Sequence, residues 1–148
     1  MGEFVLEDTV KATPENVFDV YLDHRGYAAL IGAIRTAELE REGEPAPNGL
    51  GAIRRLHMPG ATVREEVTEY DRPHRYSYKM LSGAPFDEFK ATVTFTPIEQ
   101  GTAVVYAVSM VGSSRALPVK FPSEEVIRLF MKKAAAQAEK NAQAVRGG

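Results

Sequence analysis

Apolar and polar residues alternate from Phe4 to Ala12, and this period of two predicts a strand. Thr13-Pro14-Glu15-Asn16 follows, placing a hydroxyl at a cap position, proline in a first turn and an acid near a positive helix end. It predicts a helix to about Leu22. A second short helical piece is predicted at Tyr27 to Ile31, stopped by Gly32, and a strand at Thr36 to Arg41. Gly43 to Gly51 carries prolines at 45 and 47 and glycines at 43, 49 and 51, a density that suits only a loop. Alternation then resumes in Ala52 to Met58, Ala61 to Tyr70, Tyr76 to Leu81, Phe89 to Thr96 and Thr102 to Val111. The breaks between them, Pro59-Gly60, Arg72-Pro73, Ser82 to Pro85 and Glu99 to Gly101, predict an antiparallel meander. Finally Ser123-Glu124-Glu125 opens a helix to about Ala144. Its inner stripe is Ile127, Phe130 or Met131, Ala134, Ala138, Ala142 and Val145, and Gly147-Gly148 ends it. At roughly 22 residues and ~1.5 Å each it spans about 33 Å.

One strand, two short helices, six further strands and a long terminal helix define an α+β class. A curved seven-stranded antiparallel sheet must bury one face, and only the last helix is long enough to cover it. In the first hairpin of the meander, any symmetric loop centred on Pro59-Gly60 pairs residues whose numbers sum to 119. Arg54 then faces Glu65, Ala52 faces Val67 and Leu56 faces Val63, all on one side of the sheet. Ile53, Arg55, His57, Thr62, Arg64 and Glu66 take the other side. Proline before glycine matches the primed two-residue turns poorly, so a four-residue loop is expected. An opposite-charge pair thus stands in the middle of the apolar face.

Sealing two charges in a dry core costs several kcal/mol each unless pairing and further hydrogen bonds are good. A hollow between sheet and helix explains the pair more cheaply. Ala134, Ala138 and Ala142 shorten the helix stripe; Tyr76, Tyr78 and Tyr106 face inward; Met80, Met110 and Met131 offer adaptable apolar walls. The same alanines also suit close helix-to-sheet packing, and the same tyrosines a half-buried strand; jointly they favour a pocket.

The chain has 148 residues, a length that fits one domain burying roughly 70% of its unfolded surface. It has no cysteine, which removes disulfides, Cys-ligated metals and thiolate nucleophiles. The net charge of −2, without a basic run, argues against nucleic acid as a partner. No apolar run approaches the ~20 residues of a membrane span, and Met1 to Leu6 lacks the features of a signal peptide, so no stable membrane insertion and a cytoplasmic location are expected. Gly49-Leu50-Gly51 lacks a third glycine and leads into a strand, so it does not cradle a phosphate. His24, His57 and His74 lack metal-ligand spacing, and Ser113-Ser114 lacks a nucleophile elbow; neither metal nor other cofactor is expected.

The helix opening Ala12 to Phe18, Gly49-Leu50-Gly51-Ala52-Ile53-Arg54-Arg55, Arg64 to Pro73 and the late Gly101-Thr102 resemble the polyketide cyclase/dehydrase branch of the START-like (SRPBCC, helix-grip) superfamily. The resemblance covers nearly the whole chain, 1–148, as one START-like domain. It implies a seven-stranded sheet gripping the C-terminal helix around a deep hydrophobic cavity. Members bind lipids, sterols, polyketides or plant hormones, and some cyclise, dehydrate or hydrolyse their ligands. The family-like positions are Gly51, Arg54, Glu65 and Tyr70. Relatives commonly carry a tryptophan near Tyr27 to Ile31, where this chain has none.

The expected function is binding of a lipid-like or polyketide-like small molecule with a carbonyl, hydroxyl or carboxylate end. Arg54 is its polar anchor, Glu65 holds the guanidinium, and Tyr76, Tyr78 and Tyr106 add hydrogen bonds. Leu56, Val67, Met80, Met110, Phe130 and Ala134 are its apolar wall. Alternatively Arg54 and Glu65 merely stitch two strands. The competing class is an aromatase/cyclase or dehydratase in which Arg54 polarises a carbonyl and Glu65 or a tyrosine moves protons. A carboxylate held by arginine is a poor base at neutral pH, which ranks the enzyme second. A third class is a protein-interaction module of the Hsp90-activator type.

Overall fold

Strand alternation and helix caps set the elements of the computed structural model, which describes residues 2–27, 34–83, 87–112 and 124–147. They run β1 (Gly2–Val10), α1 (Pro14–Leu22), a 3-10 turn (His24–Gly26), β2 (Thr36–Arg41), β3 (Ile53–Met58), β4 (Ala61–Asp71), β5 (Arg75–Ser82), β6 (Glu88–Ile98), β7 (Gly101–Val111) and α2 (Glu124–Gly147). The strands form one antiparallel sheet in the order β1-β7-β6-β5-β4-β3-β2, a meander closed by β1 docking on β7. The seven strands, their antiparallel order and the long terminal helix are as the alternation predicts.

Local chemistry explains the corners. Thr13 caps α1 by accepting from the Asn16 amide at 3.3 Å, and Asn16 Nδ2 donates to the Ala138 carbonyl at 3.0 Å, pinning α1 on α2. The Lys11 amide donates to Glu139 at 2.9 Å on the same side. At the start of β7, Gly101 has φ +147°, and a Cβ there would meet the Val10 carbonyl at 2.2 Å, so only glycine lets β1 approach. The next residue, Thr102, donates its hydroxyl to the Ala12 carbonyl at 2.7 Å.

Two expectations need correction. Met58 pairs directly with Ala61, so the β3–β4 loop is the two residues Pro59-Gly60, not four. Gly60 absorbs the turn at φ +80°, which removes the steric objection, and the pairing sum is unchanged because both loops are symmetric. β1 is displaced two residues toward the N-terminus from the predicted Phe4 to Ala12, since Ala12 already leads into the α1 cap. Between β1 and β2 the described chain has one α-helix and one 3-10 turn; the second predicted helix lies past Tyr27, outside the described residues. So do the predicted helix start at Ser123, the Ser113-Ser114 pair, part of the Ser82 to Pro85 break and the Val145 side chain.

The core lies between the concave face of the sheet and α2. Ile127, Phe130, Met131, Ala134 and Ala138 of α2 are buried there, Ala142 partly so. The end beneath α1 is filled by aromatic rings. Phe18 packs edge-on against Tyr70, Tyr76 and Phe95, and Tyr21 packs edge-on against Phe95 and Phe130, with centroids 5.1–5.9 Å apart. β4 carries register shifts between Arg64 and Glu65 and between Val67 and Glu69, and such bulges sharpen strand bending where the sheet wraps the helix. No helix among the described residues is long and apolar enough to cross a membrane.

Candidate functional site

The pairing Arg54–Glu65 is the second rung of the β3–β4 ladder counted from Ile53–Glu66, and both side chains point at the core because Leu56–Val63 and Ala52–Val67 bracket them on the same face. The register continues from Glu65 to Met80 on β5. One row further in, Val67 pairs with Tyr78, Tyr78 with Ala91 and Ala91 with Val108; beyond that, Tyr70, Tyr76, Val93 and Tyr106 form the next row. The ion pair therefore lies nearer the opposite end of the sheet from α1, beyond the aromatic rows. Glu65 sits between the two β4 bulges.

Arg54 is completely buried and Glu65 is 4% exposed. Arg54 Nη2 donates to Glu65 Oε1 in a short charge-assisted hydrogen bond. The other two guanidinium nitrogens, Nε and Nη1, are buried and meet no acceptor at full hydrogen-bond geometry; the Tyr27 hydroxyl is near enough to act on Arg54 as a weak acceptor. The Tyr27 ring lies under the cation, 5.7 Å from centroid to Cζ, within cation–π range. Tyr27 is itself fixed, donating its hydroxyl to the Tyr21 carbonyl at 2.8 Å and packing edge-on against Phe130.

Burial, the largest influence on Arg54, works against its charge, but the facing Tyr27 and Glu65 hold its pKa above the ordinary guanidinium value. It is a cation at any working pH. Burial pushes the Tyr27 phenol up to about 12, with the Arg54 charge pulling the other way. Burial likewise holds Tyr76, Tyr78 and Tyr106 well above their ordinary value of 10. Tyr78 and Tyr106 hydrogen-bond to each other through their hydroxyls, and Tyr76 stacks on Tyr78 at 6.2 Å. All four phenols stay protonated at neutral pH.

The structure thus brings together Arg54, Glu65, Leu56 and Val67 on β3 and β4 with Met80 beside them, and Tyr76, Tyr78 and Tyr106 one to two rows away. Phe130 reaches the cation through Tyr27, and Ala134 is fully buried on α2. Met110 is the outlying member. It pairs with Gly2 and Phe89 on the far strands and is half-buried against the core. Tyr27 is the residue that sequence patterning missed as a partner of Arg54; the signal was an aromatic in the segment just after α1. Two open grooves of about 470 Å³ each lie elsewhere, one along β1 and α2 and one between α1 and the C-terminal part of α2; neither includes Arg54 or Glu65.

A sheet wrapped on a terminal helix, with an inward arginine–glutamate pair, defines a helix-grip protein of the START-like class. A family model for polyketide cyclase/dehydrase and lipid transport proteins matches residues 1–145, and the chain belongs to that family. Among solved structures, Ara h 8.0201 is similar with a TM-score of 0.72 at 16% identity, covering 93% of this chain and 97% of that one. The ginseng major latex-like protein 151 from Panax ginseng gives a TM-score of 0.73 at 12% identity, covering 93% and 97%. Protein CV1439 from Chromobacterium violaceum gives 0.66 at 16% identity, covering 94% and 99%. At these identities the likeness concerns the fold. No curated protein matches the chain in sequence.

Proposed function

We propose that this protein binds a largely apolar small molecule between sheet and α2, with Arg54 anchoring a carbonyl, hydroxyl or carboxylate end. Glu65 positions the guanidinium, Tyr78 and Tyr106 offer hydroxyl protons, and Leu56, Val67, Met80 and Phe130 form apolar wall. The observation that carries this is the pair of unpartnered N–H groups on a wholly buried cation. A buried donor without an acceptor costs about 1–3 kcal/mol, more for a charged group, and a ligand oxygen relieves that cost. If the pair served only to stitch strands, the guanidinium would be expected to spend its donors on protein acceptors, as Arg64 does by gripping both oxygens of Glu40. The family's membership, which spans lipid transport as well as polyketide chemistry, supports a ligand of this kind.

Binding ranks above catalysis for a chemical reason. Cyclisation or water loss from a β-oxo substrate needs a proton acceptor; Glu65 already accepts from Arg54, and the buried tyrosines keep their protons at neutral pH. They are donors.

The test begins with native mass spectrometry of freshly purified protein and solvent extraction of whatever co-purifies; a retained apolar small molecule is expected. Arg54→Met is then compared with the unmodified chain for affinity toward a fluorescent dansylated fatty acyl probe and for thermal stability. Loss of affinity at least tenfold beyond any effect on folding supports the anchor. Unchanged affinity in a folded variant removes Arg54 from the site. Turnover of a poly-β-ketone into cyclised product, lost in the same variant, would make the protein an enzyme instead.

A further inference from the structure

Three arginines in this fold meet carboxylates in two different ways. Arg64 grips Glu40 with Nε and Nη2 on separate oxygens at 2.7 and 2.6 Å, and Arg72 grips Asp19 with the same two nitrogens, both at 2.8 Å. Both use the fork edge of the guanidinium, where two N–H bonds run parallel. Arg54 differs. Only Nη2 is engaged, through one of its two N–H bonds and by one oxygen of Glu65, and Nε and Nη1 are left over. Nη2 carries one N–H on each parallel-bond edge of the planar guanidinium, so the edge that Glu65 does not use remains open to a charged or an uncharged acceptor alike.

Charge decides between the two. Arg54 and Glu65 already sum to zero in a region with exposures of 0 and 4%, and the facing phenols of Tyr27, Tyr76 and Tyr78 are neutral. A ligand carboxylate would put two anions on one cation with little water to screen them, and the unmatched charge would be penalised by its desolvation. An uncharged oxygen carries no such cost and satisfies the same N–H groups.

Resting on the binding role proposed above, we infer that the polar end of the ligand is uncharged and presents acceptor oxygen to the free N–H groups of Arg54: a ketone, ester or lactone class of head, and not a free acid. One proton of the Tyr78–Tyr106 hydroxyl pair is left over after their mutual bond, a further donor for an oxygen of the head.

The experiment compares dansylaminoundecanoic acid with its primary amide and its methyl ester, by fluorescence titration of the full chain near neutral pH. The amide separates head charge from the greater oiliness of the ester. Amide and ester are both expected to bind about tenfold or more tightly than the acid. Glu65→Gln, which leaves the guanidinium unbalanced, should erase or reverse that ratio. Because this variant strands a buried cation and can fail to fold, the comparison of the three probes on the unmodified protein decides by itself. An acid that binds as well as the amide overturns the inference. If binding needs Arg54 but the acid is preferred, only the uncharged head is wrong. If no probe binds, or Arg54→Met leaves all three unchanged, the binding role falls and the inference with it.

Discussion

The two faces of the β3–β4 hairpin carry similar charged residues and treat them oppositely. On the convex face, Arg64 binds Glu40, Arg41 binds Glu66 at 2.9 Å and His57 lies 2.8 Å from Glu38, all partly in water. On the concave face, one residue away along each strand, Arg54 and Glu65 are shut from solvent and share a single hydrogen bond. Outside, nearly every charge has a neighbour of opposite sign and loses little if that neighbour leaves, because water replaces it. Inside, each partner is the other's main compensation. Burial alone converts a cheap decoration into a constraint.

Removing one inner partner is the strongest way to break this contrast. Glu65→Leu leaves Arg54 uncompensated and is expected to cost about 3–5 kcal/mol in urea denaturation, whereas Arg54→Met with Glu65→Leu recovers most of it. A single-variant loss under roughly 1 kcal/mol would mean that water reaches the pair and that the two faces are equivalent. Next in size is packing. Ala138 is fully buried where α1 is pinned on α2, and Ala138→Leu should cost about 1–3 kcal/mol by overpacking.

Acid sharpens the contrast from the convex side. Hydrogen bonds from His57 to Glu38, from Arg64 to Glu40, and from Ser77 and then Arg75 to Glu69 hold these carboxyls below their ordinary value of 4.5. A carboxyl with a lowered folded-state pKa contributes stability above 4.5 that is lost as pH falls through the lowered value. Thermal scans should therefore show Tm declining below pH 4.5, with the decline reduced at high salt. A Tm that stays flat across that range would deny the surface ladder any role. The smallest expected effect is that of Glu40→Gln near neutral pH, a fall in Tm of a degree or two at most, roughly, and smaller still in high salt.

Legibility followed the range of the interaction. The facing of Arg54 and Glu65 could be read from numbering because a symmetric turn and a period of two leave one register, and Met58–Ala61 through Ile53–Glu66 obey it. His57 was placed outside by the same parity, where its contacts with Glu38 and Thr62 lie. Two-residue closure at Pro59-Gly60 was missed because turn preference is statistical, while the actual backbone simply uses the positive φ open to Gly60. Tyr27 escaped because its contact with Arg54 joins elements that share no periodicity. The β4 bulges flanking Glu65 leave no trace in the alternation, since an unpaired residue looks like any other along the chain.

Element order, strand parity and the hairpin sum belong to the sequence by itself, for they depend on neighbours a few residues apart and on backbone geometry that every chain shares. The complete enclosure of Arg54, its spare Nε and Nη1, the ring of Tyr27 beneath it and the joined hydroxyls of Tyr78 and Tyr106 were decided only when distant strands and α2 closed on one another. Access to water and the partners of a donor are properties of three-dimensional neighbours, and it is these that set the inner ion pair apart from the ordinary ones on the convex face.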